Sequence, residues 1–379
     1  MYLYRLDIND PKTFLASLGV ESSGIIIIEK KMELFFIYIK ELKTPAVNIL
    51  KQDALSIGAE LAVPSGAITY AQDHYDCLLI GNKKHIEILS QKELAQPFGL
   101  KNVARELKSF LNIKEYPIQI MGIINANDDS FYPGSRYDAD SAISEIENMI
   151  AQGADIIDIG AVSSRPNASM VSEDEEMNRV KAICDTIKSQ KLYEKAIFSI
   201  DSYTPSVVEY ALESGFKIIN DISGANDDRL AELAVKYDAK LCIMHMQGTP
   251  QTMQKNPVYA DVMSEVSDFF EDRIAKCETL GLARENIIID VGIGFGKTLE
   301  HNVALIKNMR HFSRFGCQIL AGASRKSMID KIIQTSIEDR LPGTLAIHLK
   351  AIEKGASIIR CHDVKEHKQA IEVYKALSW

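Results

Sequence analysis

The chain has 379 residues, 46 % hydrophobic and 25 % charged, which is room for two domains or for one large domain with an attachment. Its 52 acidic and 43 basic side chains leave a net charge of −9, which argues against a nucleic-acid binder or a protein docked on an anionic membrane. The runs GIIII and LFFIYI are too short to cross a bilayer, MYLYRLDINDPK is charged too early for a signal peptide, and the six cysteines form no C-x-x-C pair, so a cytoplasmic protein with reduced, buried thiols is expected.

Residues 1–115 read as a small α/β domain. Strands are expected at YLYRLDI (2–8), GIIIIEK (24–30), ELFFIYIK (33–40), GAITYA (66–71) and DCLLIGN (76–82), with helices near 44–58 and 83–95. Helical VARELKSFL then leads into NIKEYP, a natural boundary between a domain at 1–115 and another at 116–379. The first domain carries no chemical motif.

From residue 117 the pattern becomes regular. Eight short β-branched runs, at 118–125, 155–160, 197–201, 217–221, 240–245, 286–292, 318–324 and 357–363, alternate with amphipathic helical stretches. In the clearest of these, VYADVMSEVSDFFEDRIAKCETLG, an apolar face runs from Val258 through Val262, Val266, Phe269, Phe270, Ile274 and Cys277 to Leu280. Gly153, Gly215, Gly281 and Gly355 fall where helices end on glycine. Apolar strands alternating with helices imply a parallel sheet buried on both faces. A doubly wound sheet uses the same units, but eight of them in this length favour a (β/α)8 TIM barrel, whose strand C-termini share one mouth.

The strands end in polar residues: Asn125, Asp158, Asp201, Asn220–Asp221, His245, Asp290, the run SRKS (324–327), and RCHD (360–363). Each alone suits a turn or a helix cap. Together, at the ends of buried strands, they must be paired or serve a ligand. Asp201, Asp290 and Asn220 suit a neutral heterocycle rich in N–H donors, while Arg360, His362, Lys326 and Arg165 suit an anion. DVGIGFGKT, after the sixth run, looks like a phosphate loop, but a Walker loop needs glycine at position 291, which is valine, and the glycines at 292, 294 and 296 do not fit G-x-G-x-x-G. A tight turn that leaves Asp290 and Phe295 at the mouth is the better reading.

GIINANDDSF (122–131), DIIDIGAVSSRPNA (155–168), SIDSY (199–203), IINDISG (218–224), MHMQGTPQTMQ (244–254), IIIDVGIGFGKTLEHN (287–302), GASRKS (322–327) and IIRCHDV (358–364) resemble, in order, the motifs of the dihydropteroate synthases. The resemblance spans residues 118–377. It implies a cytoplasmic, homodimeric TIM-barrel transferase of folate biosynthesis that joins (7,8-dihydropterin-6-yl)methyl diphosphate to 4-aminobenzoate, with sulfonamides as competitors. By motif, Asp201, Asn220, Asp290 and Lys326 would hold the pterin and Met244 would line its slot. Asn125 would ligate Mg²⁺, and Arg360 and His362 would meet the diphosphate. Ser164, Arg165, Pro166, Phe295 and Ser327 would form the aminobenzoate site. Lys326, Arg360 and His362 are the residues expected to act in catalysis, by leaving-group departure before attack of the arylamine.

Several positions depart from the family pattern: Asn127 and Asp128 for Thr and Pro, Pro133 where an acid is frequent, Val162 for Glu, Ser164 for Thr, Asn167 for Gly and Val291 for Pro. Two other readings are a pterin-binding methyltransferase domain, which has no diphosphate site, and a non-catalytic scaffold. The SSRP, SRKS and RCHD segments favour the synthase.

Overall fold

The computed structural model describes residues 1–111, 113–125, 139–162 and 171–378. The chain folds as two compact units, Met1–Ile113 and Lys114–Ala376. In the first, β1 (Leu34–Lys43), β2 (Glu60–Ala62) and β3 (His74–Asn82) form an antiparallel sheet in the order β1-β3-β2. Leu50, Leu61, Leu79, Ile86, Leu89 and Leu107 fill the core between this sheet and the helices Thr44–Ser56, Lys83–Lys92 and Leu100–Ser109.

Three expected strands of this unit are not strands. YLYRLDI has no regular structure and is mostly exposed. GIIIIEK lies in the helix Ser22–Glu29, which buries Ile25 and exposes Ile26 and Ile27; a short apolar run carries no period that separates helix from strand. GAITYA begins in a turn of 3-10 helix, Ser65–Ala67, just past Pro64, and the pairing segment is the preceding Glu60–Ala62. The expected helices are present as Thr44–Ser56 and Lys83–Lys92, the latter continued by the 3-10 turn Glu93–Ala95.

The second unit is a closed parallel barrel of eight strands: β4 (Gln119–Asn125), β5 (Ile156–Gly160), β6 (Ile197–Asp201), β7 (Ile218–Asp221), β8 (Lys240–Met244), β9 (Ile287–Asp290), β10 (Gln318–Ala321) and β11 (Ile358–Cys361). The TIM barrel read from the eight alternating units is thus the observed fold. Gly153, Gly215, Gly281 and Gly355, with φ between 95° and 102°, end the preceding helices in the left-handed region. The amphipathic helix starts later than its apolar pattern. Asp261 caps Val262–Thr279 by accepting from Met263 N and Ser264 N, and Val258 stays exposed before it. The six cysteines are free and buried, and no helix among the described residues is long and apolar enough to cross a membrane.

The barrel interior sets the site. Met121, Ile156, Ile218, Cys242, Ile288, Leu320 and Ile358, from seven strands, close the barrel as one apolar layer. Side chains alternate in a strand, so residues two further on point inward again, one layer nearer the C-terminal mouth. Those are Ile123, Asp158, Asn220, Met244, Asp290, Gly322 and Arg360, and the register sets Asp201 of β6 beside Asn220. An apolar plug thus carries a polar floor.

Candidate active site

Arg360 ties this floor together. Its Nε donates to Asp158 Oδ2 at 2.6 Å and its Nη2 to Asp201 Oδ2 at 2.8 Å, while Asn220 Nδ2 donates to the same Asp158 oxygen at 2.9 Å. The other Asp158 oxygen, Oδ1, is buried and has no hydrogen-bond partner among the described residues, so an acceptor remains free at the barrel centre. The two sets read from the sequence, acidic for a ring and cationic for an anion, therefore meet in direct contact. Asp158, which the strand-end reading noted but gave no role, is the hub. The period-2 rule that places Asp290 and Arg360 would have found it.

Burial raises the Asp201 carboxyl to about 7 against the pull of Arg360, with Asp158, Glu176 and Asp221 adding repulsion. Arg360 stays charged, because the two carboxylates outweigh the burial that opposes its charge. Asp290 is also pushed up by burial, with Lys326 pulling the other way, and the Lys326 amine is brought down to about 8 by burial against the attraction of Asp290. Asp221, next to Asn220, is a turn former, since its two oxygens accept from Ser223 N and Ala225 N.

The glycine turn after β9 has no phosphate-loop geometry. Gly292, Gly294 and Gly296 all have positive φ, and a Cβ on Gly292 would lie 2.0 Å from His245 O, so the chain passes backbone against backbone there. Lys297 points inward, 1 % exposed, with Nζ 2.9 Å from His245 Nδ1, 3.1 Å from His245 O and 2.9 Å from Phe295 O. It anchors the turn, and Thr298 caps the next helix, Leu299–Lys307, with His301 completing the capping box. His245 is accordingly a structural partner of Lys297. Val291, at the family's proline position, is fully buried, and the turn is closed by Gly292 N donating to Asp290 Oδ1 at 2.8 Å. At the mouth Lys326 donates to Ile293 O and holds its ammonium 4.5 Å from the centre of the half-buried Phe295 ring.

The loop bearing Lys326 is locked to the end of β11. Arg325, with φ 53°, makes a two-pronged pair with Asp363 (3.0 and 2.6 Å) and donates to Ile337 O and Glu338 O. Ser324 Oγ lies 2.8 Å from His362 Nδ1. Behind them two buried histidines form a directed chain. Ala323 N donates to His348 Nε2 at 2.9 Å, so neutral His348 carries its proton on Nδ1, aimed at His367 Nε2 at 2.8 Å; His367 then carries its own on Nδ1, 2.6 Å from Asp363 O. Burial holds both imidazoles below their ordinary pKa and so keeps them neutral. Sequence reading missed Arg325, Lys297, His348 and His367. The two histidines sit on separate helices, Leu341–Glu353 and Val364–Ser378, and no spacing announces their contact.

Of the expected site residues, Asp201, Asn220, Met244, Asp290 and Arg360 line the floor; Phe295, Lys326 and His362 belong to the loops above it, and Ser327 opens the helix Ser327–Ile332. Burial, and then Arg360, hold the His362 imidazole near a pKa of about 3, so it offers a hydrogen bond and not a charge in this state. Asn125 ends β4 beside Gly160 of β5, which in turn pairs with Asp201 of β6. Ser164, Arg165, Pro166 and Asn167, like Asn127, Asp128 and Pro133, lie outside the described residues. Val162 is half-buried, and nothing in the structure explains its replacement of glutamate.

The family described as pterin binding enzyme matches residues 121–362. A Helicobacter pylori protein named bifunctional dihydropteroate synthase/dihydropteroate reductase is 42 % identical over 378 residues, covering 100 % of this chain and 99 % of its own length. The Haemophilus influenzae dihydropteroate synthase is 41 % identical over 259 residues, covering 68 % of this chain and 93 % of its own. The Yersinia pestis dihydropteroate synthase, solved with a sulfonamide drug complex, superposes with a TM-score of 0.66 at 35 % identity over 69 % of this chain and 94 % of that one. With a polar barrel floor of the kind its motifs require, the chain belongs to the pterin-binding enzymes, and among them to the dihydropteroate synthases of folate biosynthesis.

Proposed function

We propose that the floor residues divide the synthase reaction among themselves as follows. Asp158 Oδ1, Asp201 and Asp290 accept from the amino and N–H edge of the pterin, Asn220 bridges donor and acceptor, and Lys326 donates to the ring carbonyl. Met244 and Phe295 give the flat ring and the incoming arylamine apolar surface, with Ser327 beside them. Arg360 and His362 meet the diphosphate as its bond to the exocyclic methylene breaks, and the ring spreads the resulting positive charge. The arylamine is neutral at pH 7 and attacks with its own lone pair, so the site needs no nucleophile–base pair; its work is positioning and stabilisation of the leaving group. The convergence of Asp158, Asp201, Asn220, Asp290 and Arg360 in one buried layer supports this reading most directly.

Among the described residues no group of three or more His, Cys, Asp or Glu could hold a metal ion. A single amide oxygen from Asn125 fits the sparse protein ligation of Mg²⁺, which takes its other oxygens from substrate phosphates and water. When bound there it would draw charge from the departing diphosphate. Product formation from the pterin diphosphate and 4-aminobenzoate, lost on chelation and restored by Mg²⁺, is the expected result. Turnover unaffected by chelation removes the metal from this scheme. Sulfonamides, as mimics of the aminobenzoate, compete at the same site, and the barrel pairs as a homodimer.

Asp201 must be ionised to accept from the ring. Because its carboxyl titrates near 7, about half is ionised at pH 7 and about a tenth at pH 6, so pterin affinity is expected to fall about five-fold between them, measured by calorimetry. For stability the sign is opposite: the folded state keeps a proton that the unfolded chain releases near 3.8, so this contribution declines as pH rises through that window.

A second activity is favoured by the relative that matches the whole chain. The Haemophilus influenzae synthase, which bears that name alone, covers 68 % of the chain, about the share of the barrel, whereas the Helicobacter pylori protein that covers all of it is also named a dihydropteroate reductase. On this reading the chain reduces the product it makes, and residues 1–113 belong to that step.

A further inference from the structure

Reduction of 7,8-dihydropteroate to the 5,6,7,8-tetrahydro form saturates the N5=C6 bond. It needs a surface for a flat ring, an acid that can protonate N5, and a hydride donor for C6. The first unit assembles the first two at one place. Asn48, Ile49 and Asp53, on one face of the helix Thr44–Ser56, line an open surface cavity of about 600 Å³ with Tyr70, Gln96 and Phe98. Tyr70 and Phe98 are 59 % and 51 % exposed, so two aromatic rings stand at this cavity without being used to pack the core. Both residues also hold left-handed backbone, φ 56° and 58°, which side chains of this size rarely adopt.

The acid lies in the cavity wall. Asp53 accepts from Gln96 Nε2 at 3.4 Å and pairs with Lys92 Nζ at 2.8 Å. Beside it Glu93 is fully buried, and neither of its oxygens receives a hydrogen bond among the described residues. Burial first, and then the adjacent Asp53 carboxylate, raise Glu93 to about 7 against the pull of Lys92, so Glu93 can hold a proton near neutral pH. A buried carboxyl without donors costs stability.

We infer that this cavity binds the dihydropterin ring of dihydropteroate against Tyr70 and Phe98, and that a proton held by Glu93 reaches N5 through Asp53 in the cavity wall while a reduced nicotinamide or reduced flavin delivers hydride to C6. The N5=C6 π bond breaks, new N5–H and C6–H bonds form, the donor is oxidised by two electrons, and solvent returns the proton to the carboxyl pair. Asp53 is the catalytic residue and Glu93 acts through it. Asn48 and Gln96 supply amides for the polar edge of the ring.

The inference rests on the reductase reading, and the test separates the two. The full-length protein is assayed for loss of dihydropteroate with reduced nicotinamide, with and without flavin, and in parallel for synthase turnover. Glu93→Gln and Asp53→Asn are expected to lower the kcat of reduction about a hundred-fold with KM for dihydropteroate unchanged. Phe98→Ala is expected to raise that KM about ten-fold, in line with the loss of one ring contact. All three leave the synthase rate of the barrel intact, which also reports that the chain has folded. Reduction by the wild type that none of the three variants alters overturns the site but not the reductase reading. No reduction by the wild type with either donor overturns both.

Discussion

Arg360→Ala is expected to abolish synthase turnover and to lower the unfolding free energy by about 3–5 kcal/mol, the range for a buried ion pair that loses one partner. The reason is the geometry of the floor. The guanidinium, 22 % exposed in its side chain, bridges Asp158, which is wholly buried, and Asp201, which is 13 % exposed. Without it two carboxylates face each other in the barrel centre, and at least one must take up a proton. Pterin binding and diphosphate binding should therefore both weaken. A charge that served only the diphosphate would leave the affinity for a bare pterin untouched, and calorimetry with the two ligands tells these cases apart. Adding Asp158→Asn to Arg360→Ala should recover part of the stability, read by chemical denaturation, and none of the activity. Full stability in the single variant would mean that the bridge carries no weight.

Lys326→Met is expected to lower kcat/KM for the pterin diphosphate by about 10²–10³, as for removal of one well-placed donor to a reacting ligand. Its stem can still cover Phe295, so loss of the charge is the main change. Stability should hold or rise. Burial has brought this amine down to about 8, so the folded state gives up its proton more readily than the unfolded chain does, and at pH 7 the buried charge is a cost that methionine removes. Kinetics and thermal unfolding on the same preparation check both halves. A matching fall in stability would make Lys326 a structural residue instead.

The barrel was legible because its strands announce themselves. A β-branched run such as IIDIG, preceded by a helix ending on glycine, leaves little choice of element, and the floor follows from the alternation of side chains along each strand. The first unit was less legible, since GIIIIEK carries apolar character without a period and its helix depends on which isoleucines find partners. The site was legible to the extent that each ligand sits on its own strand end. What escaped were residues that act through others: Arg325 on Asp363, Lys297 on His245, His348 on His367. Their partners lie 19 to 52 positions away, and contacts of that span leave no local trace in composition or spacing.

The contact of Arg360 with two acidic partners also bears on how a substrate arrives. A guanidinium and the aminopyrimidine edge of a pterin present the same array of N–H groups, so the unliganded enzyme already satisfies part of its acceptor set with a side chain of its own. On the proposed division of the floor, docking would be a displacement, one nitrogenous fork giving way to another, and the arginine it frees would be left to meet the phosphates.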